Sequence, residues 1–247
     1  HCYGLTSLEG APSVVTGGFY CEMCHGLTSL EGAPSAVTGD FHCSVCENLT
    51  SLKGAPKIVN GSFRCNHCDG LTSLEGAPSA VTRSFYCEIC KNLTSLEGAP
   101  KEIGGNFNCS YCEKLTSLEG APKEGCRSFY CSGCKNLTSL KGAPKEIGGD
   151  FWCNNCDNLE TLLHIPICKD IVADEKLTSC YLPDSFARSV TYEDITSSPL
   201  YNIELLNQKV RAKLTNKYQD GKKDDPAQVA TAVSKDQNTF KKAGRDI

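Results

Sequence analysis

The chain has 247 residues, with 18 Cys, 22 Gly, 11 Pro, one Met and one Trp, and its 25 Lys+Arg against 29 Asp+Glu give a net charge of −4. No run of eighteen apolar residues occurs, which excludes a membrane-spanning helix, and the near-neutral balance argues against a nucleic-acid coat or a polybasic membrane binder. A chain of this length does not need disulfides to compensate for a small core, so the thiols require another explanation.

The chain is organised as a repeat. The segment Leu-Thr-Ser-Leu-(Glu/Lys)-Gly-Ala-Pro starts at Leu5, Leu27, Leu49, Leu71, Leu93, Leu115 and Leu137, always 22 residues apart. A worn eighth copy follows in phase at Leu159, Leu162 and Pro166. Cys2 occupies the slot of Cys24, so the sequence opens on His1 inside a repeat, and secretion cannot be judged from a leader. After Pro166 the register is expected to be lost, because Ala173 and Glu175 stand where Phe and Cys should be.

One unit, Leu27 to Asn48, shows the predicted elements in order. Leu27 and Leu30 are apolar at i, i+3, and Gly32-Ala33-Pro34 breaks the chain. Val37 is the apolar residue of a return leg too short and too interrupted for a helix. Gly39 marks a turn, and Phe41-His42-Cys43 alternates with period two, a short strand with Phe and Cys on one face. Such a unit cannot bury its apolar face alone, so copies must stack, with successive strands paired in parallel at ~4.8 Å. A solenoid over residues 1–166 is expected, with a C-terminal cap over 167–197 and a tail over 198–247. In the tail, Ser198-Pro199 followed by Ile203, Leu206, Val210 and Leu214 predicts an amphipathic helix, 220–225 a linker, and Asp225-Pro226 the start of a weaker helix.

The pattern Leu-x2-Leu-x3-Pro-x2-Val-x3-Phe-x-Cys-x2-Cys-x2-Leu resembles short bacterial leucine-rich repeats, and more closely the LTSLEGAP/Phe-x-Cys repeats of bacteriophage and marine bacterial proteins. The resemblance covers about two thirds of the chain and implies a leucine-rich-repeat-like solenoid of stacked parallel strands with irregular return legs. It also implies a binding or structural role and a cytoplasmic or virion-associated setting, without naming a ligand. This chain departs from the pattern where such repeats place Asn, carrying Cys24, Cys46, Cys68, Cys90, Cys112, Cys134 and Cys156 instead.

Those cysteines close seven Cys-x-x-Cys pairs whose first members are Cys21, Cys43, Cys65, Cys87, Cys109, Cys131 and Cys153, with 18 residues between pairs. The spacing matches a four-cysteine zinc site, and Zn(II) or Cu(I) held between repeats is one reading. Paired zinc sites would impose a 44-residue alternation, which is not visible. The plainer reading makes the first cysteine a small core residue beside Phe, and lets the second turn inward at the ladder position. Disulfides between like cysteines of stacked turns are the third reading, hindered because in-register Cβ atoms stand farther apart than the preferred ~3.8 Å. Cys126, Cys168 and Cys180 lie off the pattern, the last two as candidates for packing in the cap.

Comparison between copies separates scaffold from display. The Leu, Gly, Ala, Pro, Phe and Cys positions are fixed, whereas the outward strand residue runs Tyr20, His42, Arg64, Tyr86, Asn108, Tyr130, Trp152, rich in the types that dominate interface hot spots. Columns from Glu22 to Asn154 and from Met23 to Asn155 extend the same strip. The strip is the candidate surface for a protein partner, beside the plainer reading that aromatic and polar residues suit exposed strands and shield Phe and Cys beneath. Residues 1–162 carry 12 Lys+Arg and 17 Asp+Glu, a net −5 that disfavours nucleic acid. No nucleophile, base and oxyanion constellation is detectable, so a non-enzymatic module with no cofactor is expected.

Overall fold

The computed structural model describes residues 3–174 apart from 161, 163 and 167. The tail helices, and the part of the expected cap beyond residue 174, lie outside the described residues. Those described form a parallel β-solenoid in which every strand is two residues long. In chain order the strands are β1 (Val14–Val15), β2 (Phe19–Tyr20), β3 (Ala36–Val37), β4 (Phe41–His42), β5 (Ile58–Val59), β6 (Phe63–Arg64), β7 (Ala80–Val81), β8 (Phe85–Tyr86), β9 (Glu102–Ile103), β10 (Phe107–Asn108), β11 (Phe129–Tyr130), β12 (Phe151–Trp152) and β13 (Ile171–Val172).

They build two sheets. The Phe-x strands β2, β4, β6, β8, β10, β11, β12 and β13 follow one another in an eight-stranded sheet, each Phe opposite the Phe of the next turn from Phe19 to Phe151. The return legs add a sheet of their own, β1-β3-β5-β7-β9, which makes five of them more regular than expected. Their inward residues Val37, Val59, Val81 and Ile103 are buried, a β-branched column that stacks well on a pleated surface. This second sheet stops where Gly125, at φ +85°, takes the slot of Ile103, and the neighbouring Cys126 supplies the buried side chain instead.

Each Leu-Thr-Ser-Leu-x-Gly-Ala segment ends in a tight turn. Ala33 donates its N–H to the Leu30 carbonyl at 3.0 Å and Gly32 sits at φ +87°, the geometry of a type II turn with glycine third. Stacking demands glycine a second time, because a Cβ on Gly32 would lie 2.5 Å from the Glu9 backbone nitrogen of the turn below.

The core is a set of ladders. Phenylalanine rings from Phe19 to Phe151 stack at centroid distances of 5.1 to 5.6 Å, flanked by the buried Leu27 and Leu30 columns and the paired cysteines. Burying each such Phe or Leu contributes roughly 1.5–3 kcal/mol, which compensates for strands too short to stand alone.

The ladder outlasts its predicted end. Ile171 pairs opposite Phe151 and Val172 opposite Trp152, only 20 residues on, so the last turn is two residues shorter rather than out of register. Ile171 fills the Phe slot and Ala173 the first Cys slot, both buried. The Asp174 carboxylate then accepts the N–H groups of Asn155 at 2.6 Å and Cys156 at 3.0 Å. In earlier turns the N–H equivalent to that of Asn155 goes to a main-chain carbonyl of the next turn, as Gly133 N–H does to Asn154, so Asp174 substitutes a side chain for that contact.

Candidate functional site

The outward residues of the eight-stranded sheet fall on one line because parallel pairing in register sets equivalent positions of successive turns side by side. Tyr20 stands opposite His42, His42 opposite Arg64, Arg64 opposite Tyr86, Tyr86 opposite Asn108, Asn108 opposite Tyr130, and Tyr130 opposite Trp152. All seven residues singled out in the sequence are therefore brought together. Their exposure is uneven. Tyr20 at 61% and Trp152 at 38% are open, while the five between are half-buried, because each ring or amide is partly covered by its neighbours one rung away.

Those neighbours interact. Tyr20 meets His42 edge-on at 4.8 Å, the Arg64 guanidinium lies 4.1 Å over the Tyr86 ring, and Tyr130 and Trp152 are 5.9 Å apart. His42 stands between two carboxylates, with Nδ1 3.4 Å from Glu22 and Nε2 3.9 Å from Asp40. The Asn66 amide donates to Glu88 at 2.9 Å. Burial pushes the Glu88 carboxyl above its ordinary value, a shift opposed by its own backbone N–H, by Arg64 and by His67. Farther along, Ser132 donates to Asn154 at 2.6 Å, and Asn108 accepts the N–H of Ser110 at 2.9 Å.

The third column is shaped by a backbone feature that pattern reading missed. Met23, Val45, His67, Ile89, Tyr111 and Asn155 all have φ between 55° and 61°, and Gly133 has 71°. The left-handed conformation in each Cys-x-x-Cys is what turns the second cysteine inward. It suits Gly133 and Asn155, whose presence in that column was the available signal, but the β-branched Val45 and Ile89 occupy it at a cost.

The cysteines line the opposite face of the same strands. In six of the seven pairs the second thiol donates to the carbonyl of the first cysteine in the preceding turn: Cys46 to Cys21 and Cys156 to Cys131 at 3.3 Å, and Cys68 to Cys43, Cys90 to Cys65, Cys112 to Cys87 and Cys134 to Cys109 at 3.2 Å. The inward ladder contact expected of this position is thus made, and it is made backward along the stack. Burial, reinforced by neighbouring thiols, pushes Cys43, Cys65, Cys87, Cys131 and Cys153 well above the usual thiol range. Burial likewise takes Cys46 up to about 11, and Cys90, Cys126 and Cys156 up to about 12. The four-cysteine zinc site suggested by the spacing needs four converging thiolates. Here six second thiols keep protons engaged with carbonyls, and among the described residues no three His, Cys, Asp or Glu side chains are placed to share an ion. Of the sixteen described cysteines fifteen are buried and Cys168 is half-exposed, and no disulfide links the ladder from Cys43 to Cys156.

No family model, curated protein or solved structure matches this chain.

Proposed function

We propose that the chain is a non-enzymatic, leucine-rich-repeat-like solenoid that acts as a recognition or structural module, engaging a protein partner through the outward strip of its eight-stranded sheet. One observation carries the reading. Between copies the buried Leu, Phe and Cys columns are fixed, while the outward column varies among Tyr, His, Arg, Asn and Trp, and parallel register places those variable residues side by side. A position that only had to shield Phe and Cys would tolerate one residue type repeated. Variation in residues that form rigid aromatic and charged anchors is what a specific partner selects. The carbonyl-bonded thiols of Cys46, Cys68, Cys90, Cys112, Cys134 and Cys156 fit a compartment in which thiols stay reduced, such as cytoplasm or the interior of a virion. The resemblance to phage and marine bacterial repeats agrees with that setting, and the array's net −5 favours a protein over nucleic acid.

The test compares partners co-purified with the native chain, with a variant carrying Tyr86→Ser, Tyr130→Ser and Trp152→Ser, and with a control carrying Val14→Ser and Ile58→Ser on the other sheet. Loss of a stoichiometric partner from the strip variant alone, with its circular dichroism unchanged, supports the proposal. An unchanged partner set refutes it.

A further inference from the structure

The strip has two chemically different halves. Over the first four Phe rungs its outward columns include Glu22, Arg64 and Glu88 together with His42 and His67. Over the rungs of β10, β11 and β12 they contain no charged side chain and no aliphatic one: Asn108, Tyr111, Tyr130, Ser132, Trp152 and Asn154 dominate. The flanking column does carry charge, in Glu113, Lys135 and Asp157, of which Glu113 and Lys135 pair at 3.3 Å, and the next rung, β13, adds Val172 and the Asp174 carboxylate, which is taken up by the Asn155 and Cys156 N–H groups.

This uncharged half is built as two aromatic platforms with polar groups between them. Tyr111 is 51% exposed, and its ring lies along the column over Gly133, where any Cβ would stand 2.4 Å from the ring carbon Cδ1. Glycine at 133 is what lets the ring lie down against the backbone rather than stand off it. Trp152, two rungs farther on, presents the second platform, supported by Tyr130. The two lie ~10 Å apart along the axis at the rung spacing of a parallel sheet. Between them lies the half-buried Asn154, whose Oδ1 accepts from the buried Ser132 hydroxyl, with the exposed Asn155 beside it.

A ligand that fits must offer flat apolar faces to the rings, and hydroxyls or amides that both donate and accept to the side-chain amides of Asn108, Asn154 and Asn155, and must carry no charge. A phosphate or nucleic acid would select Arg and Lys, a charged peptide would select opposite charges, and an apolar helix would select aliphatic residues. A pyranose ring, with its C–H face and its rim of hydroxyls, meets all three requirements. We propose that the rungs of β10, β11 and β12 bind a neutral glycan. The inference rests on the recognition strip proposed above, and specifies what its C-terminal half contacts.

Trp152 is the only tryptophan in the chain, so its emission reports the site directly. The full chain is titrated with neutral oligomers of glucose, mannose, galactose and N-acetylglucosamine, and with sialylated and sulfated oligosaccharides for comparison. A saturable emission shift with a neutral series, weakened roughly three- to tenfold by Tyr111→Ala and unaffected by Val14→Ser on the other sheet, supports the proposal. Absence of any shift, binding confined to charged saccharides, or binding that ignores Tyr111→Ala overturns it. An array of the same oligosaccharides probed with Trp152→Ala gives a second readout that does not depend on fluorescence, and retained binding there also overturns it. If glycans fail while the strip variant still loses its partner, the glycan inference falls and the recognition reading stands; if the strip variant keeps its partner, that reading falls.

Discussion

Three glycines separate what the turn conformation costs from what close stacking costs. Gly148 has no positive φ and nothing within 4 Å of an added Cβ, Gly10 has φ +86° and nothing within 4 Å, and Gly76 has φ +89° and main-chain atoms of the turn below at 2.4 Å (Lys53 nitrogen) and 2.7 Å (Leu52 carbonyl carbon). Alanine at 148 should therefore change stability by no more than about 0.5 kcal/mol. Alanine at 10 should cost about 1–2 kcal/mol for a left-handed non-glycine residue. Alanine at 76 incurs that cost and must also push two turns apart by about 1 Å to reach ordinary contact, adding an overpacking penalty of about 1–3 kcal/mol. The nearby inter-turn bonds from Leu52 N–H to the Glu75 carbonyl at 3.3 Å and from Leu74 N–H to the Glu97 carbonyl at 2.9 Å are weakened with it. The total for Gly76→Ala is about 2–5 kcal/mol. Urea unfolding followed by far-ultraviolet circular dichroism and by Trp152 emission gives the three midpoints, and coincidence of the two probes checks that the array unfolds as one unit. A Gly76→Ala midpoint no lower than that of Gly10→Ala would refute the claim that main-chain contact between turns, rather than turn conformation alone, dictates glycine at this position.

Three further outcomes follow from the strip and the thiols. Ile89 holds a left-handed conformation at φ 61°, so Ile89→Asn should stabilise the chain by about 0.5–1 kcal/mol in the same unfolding assay, and a loss of stability would show that its contacts outweigh the strain. Burial raises the Glu88 carboxyl, so the folded state favours its protonated form and Glu88 destabilises increasingly as pH rises above the ordinary value of 4.5. Glu88→Gln should accordingly raise the unfolding midpoint at pH 7 and leave it unchanged below about pH 4, and a pH-independent effect would contradict this. Cys46, Cys90 and Cys156, held at about 11 to 12, should resist a thiol reagent at pH 8 in the native chain and react on unfolding, and a chelator should leave the midpoint where it was. Release of about one zinc per two repeats with a fall in the midpoint would contradict the packing account of the thiols.

The solenoid was legible because its period is written directly in the chain: a Phe every 22 residues must meet the next Phe once copies stack. The outward column from Tyr20 to Trp152 was legible for the same reason, since alternation about Phe and Cys decides which residue faces out. Three features were not. The second sheet depends on Val15, Val37, Val59, Val81 and Ile103 pairing across turns, and one apolar residue in a broken leg carries no alternation from which a strand can be read. The extra rung at Ile171–Val172 was hidden by a two-residue deletion, which destroys a fixed-period match although the backbone simply closes a shorter turn. The left-handed residue inside Cys-x-x-Cys was masked by Val45 and Ile89, whose β-branched side chains argue for the opposite conformation. In each case inter-turn packing overrode local preference, as happens where stability comes from neighbouring repeats rather than from the segment itself.

Hydroxyl-radical footprinting of the chain, free and partner-bound, tests the recognition strip most directly, because it reads side-chain exposure on both sheets at once. Tyr20, Tyr111 and Trp152 are open on one sheet, and Val14 and Ile58, at 57% and 54% exposure, on the other. The account predicts that partner binding protects strip residues, Trp152 among them, while oxidation of Val14 and Ile58 is unchanged. Protection of Val14 and Ile58 with Tyr20, Tyr111 and Trp152 still oxidised at their free rates would contradict it.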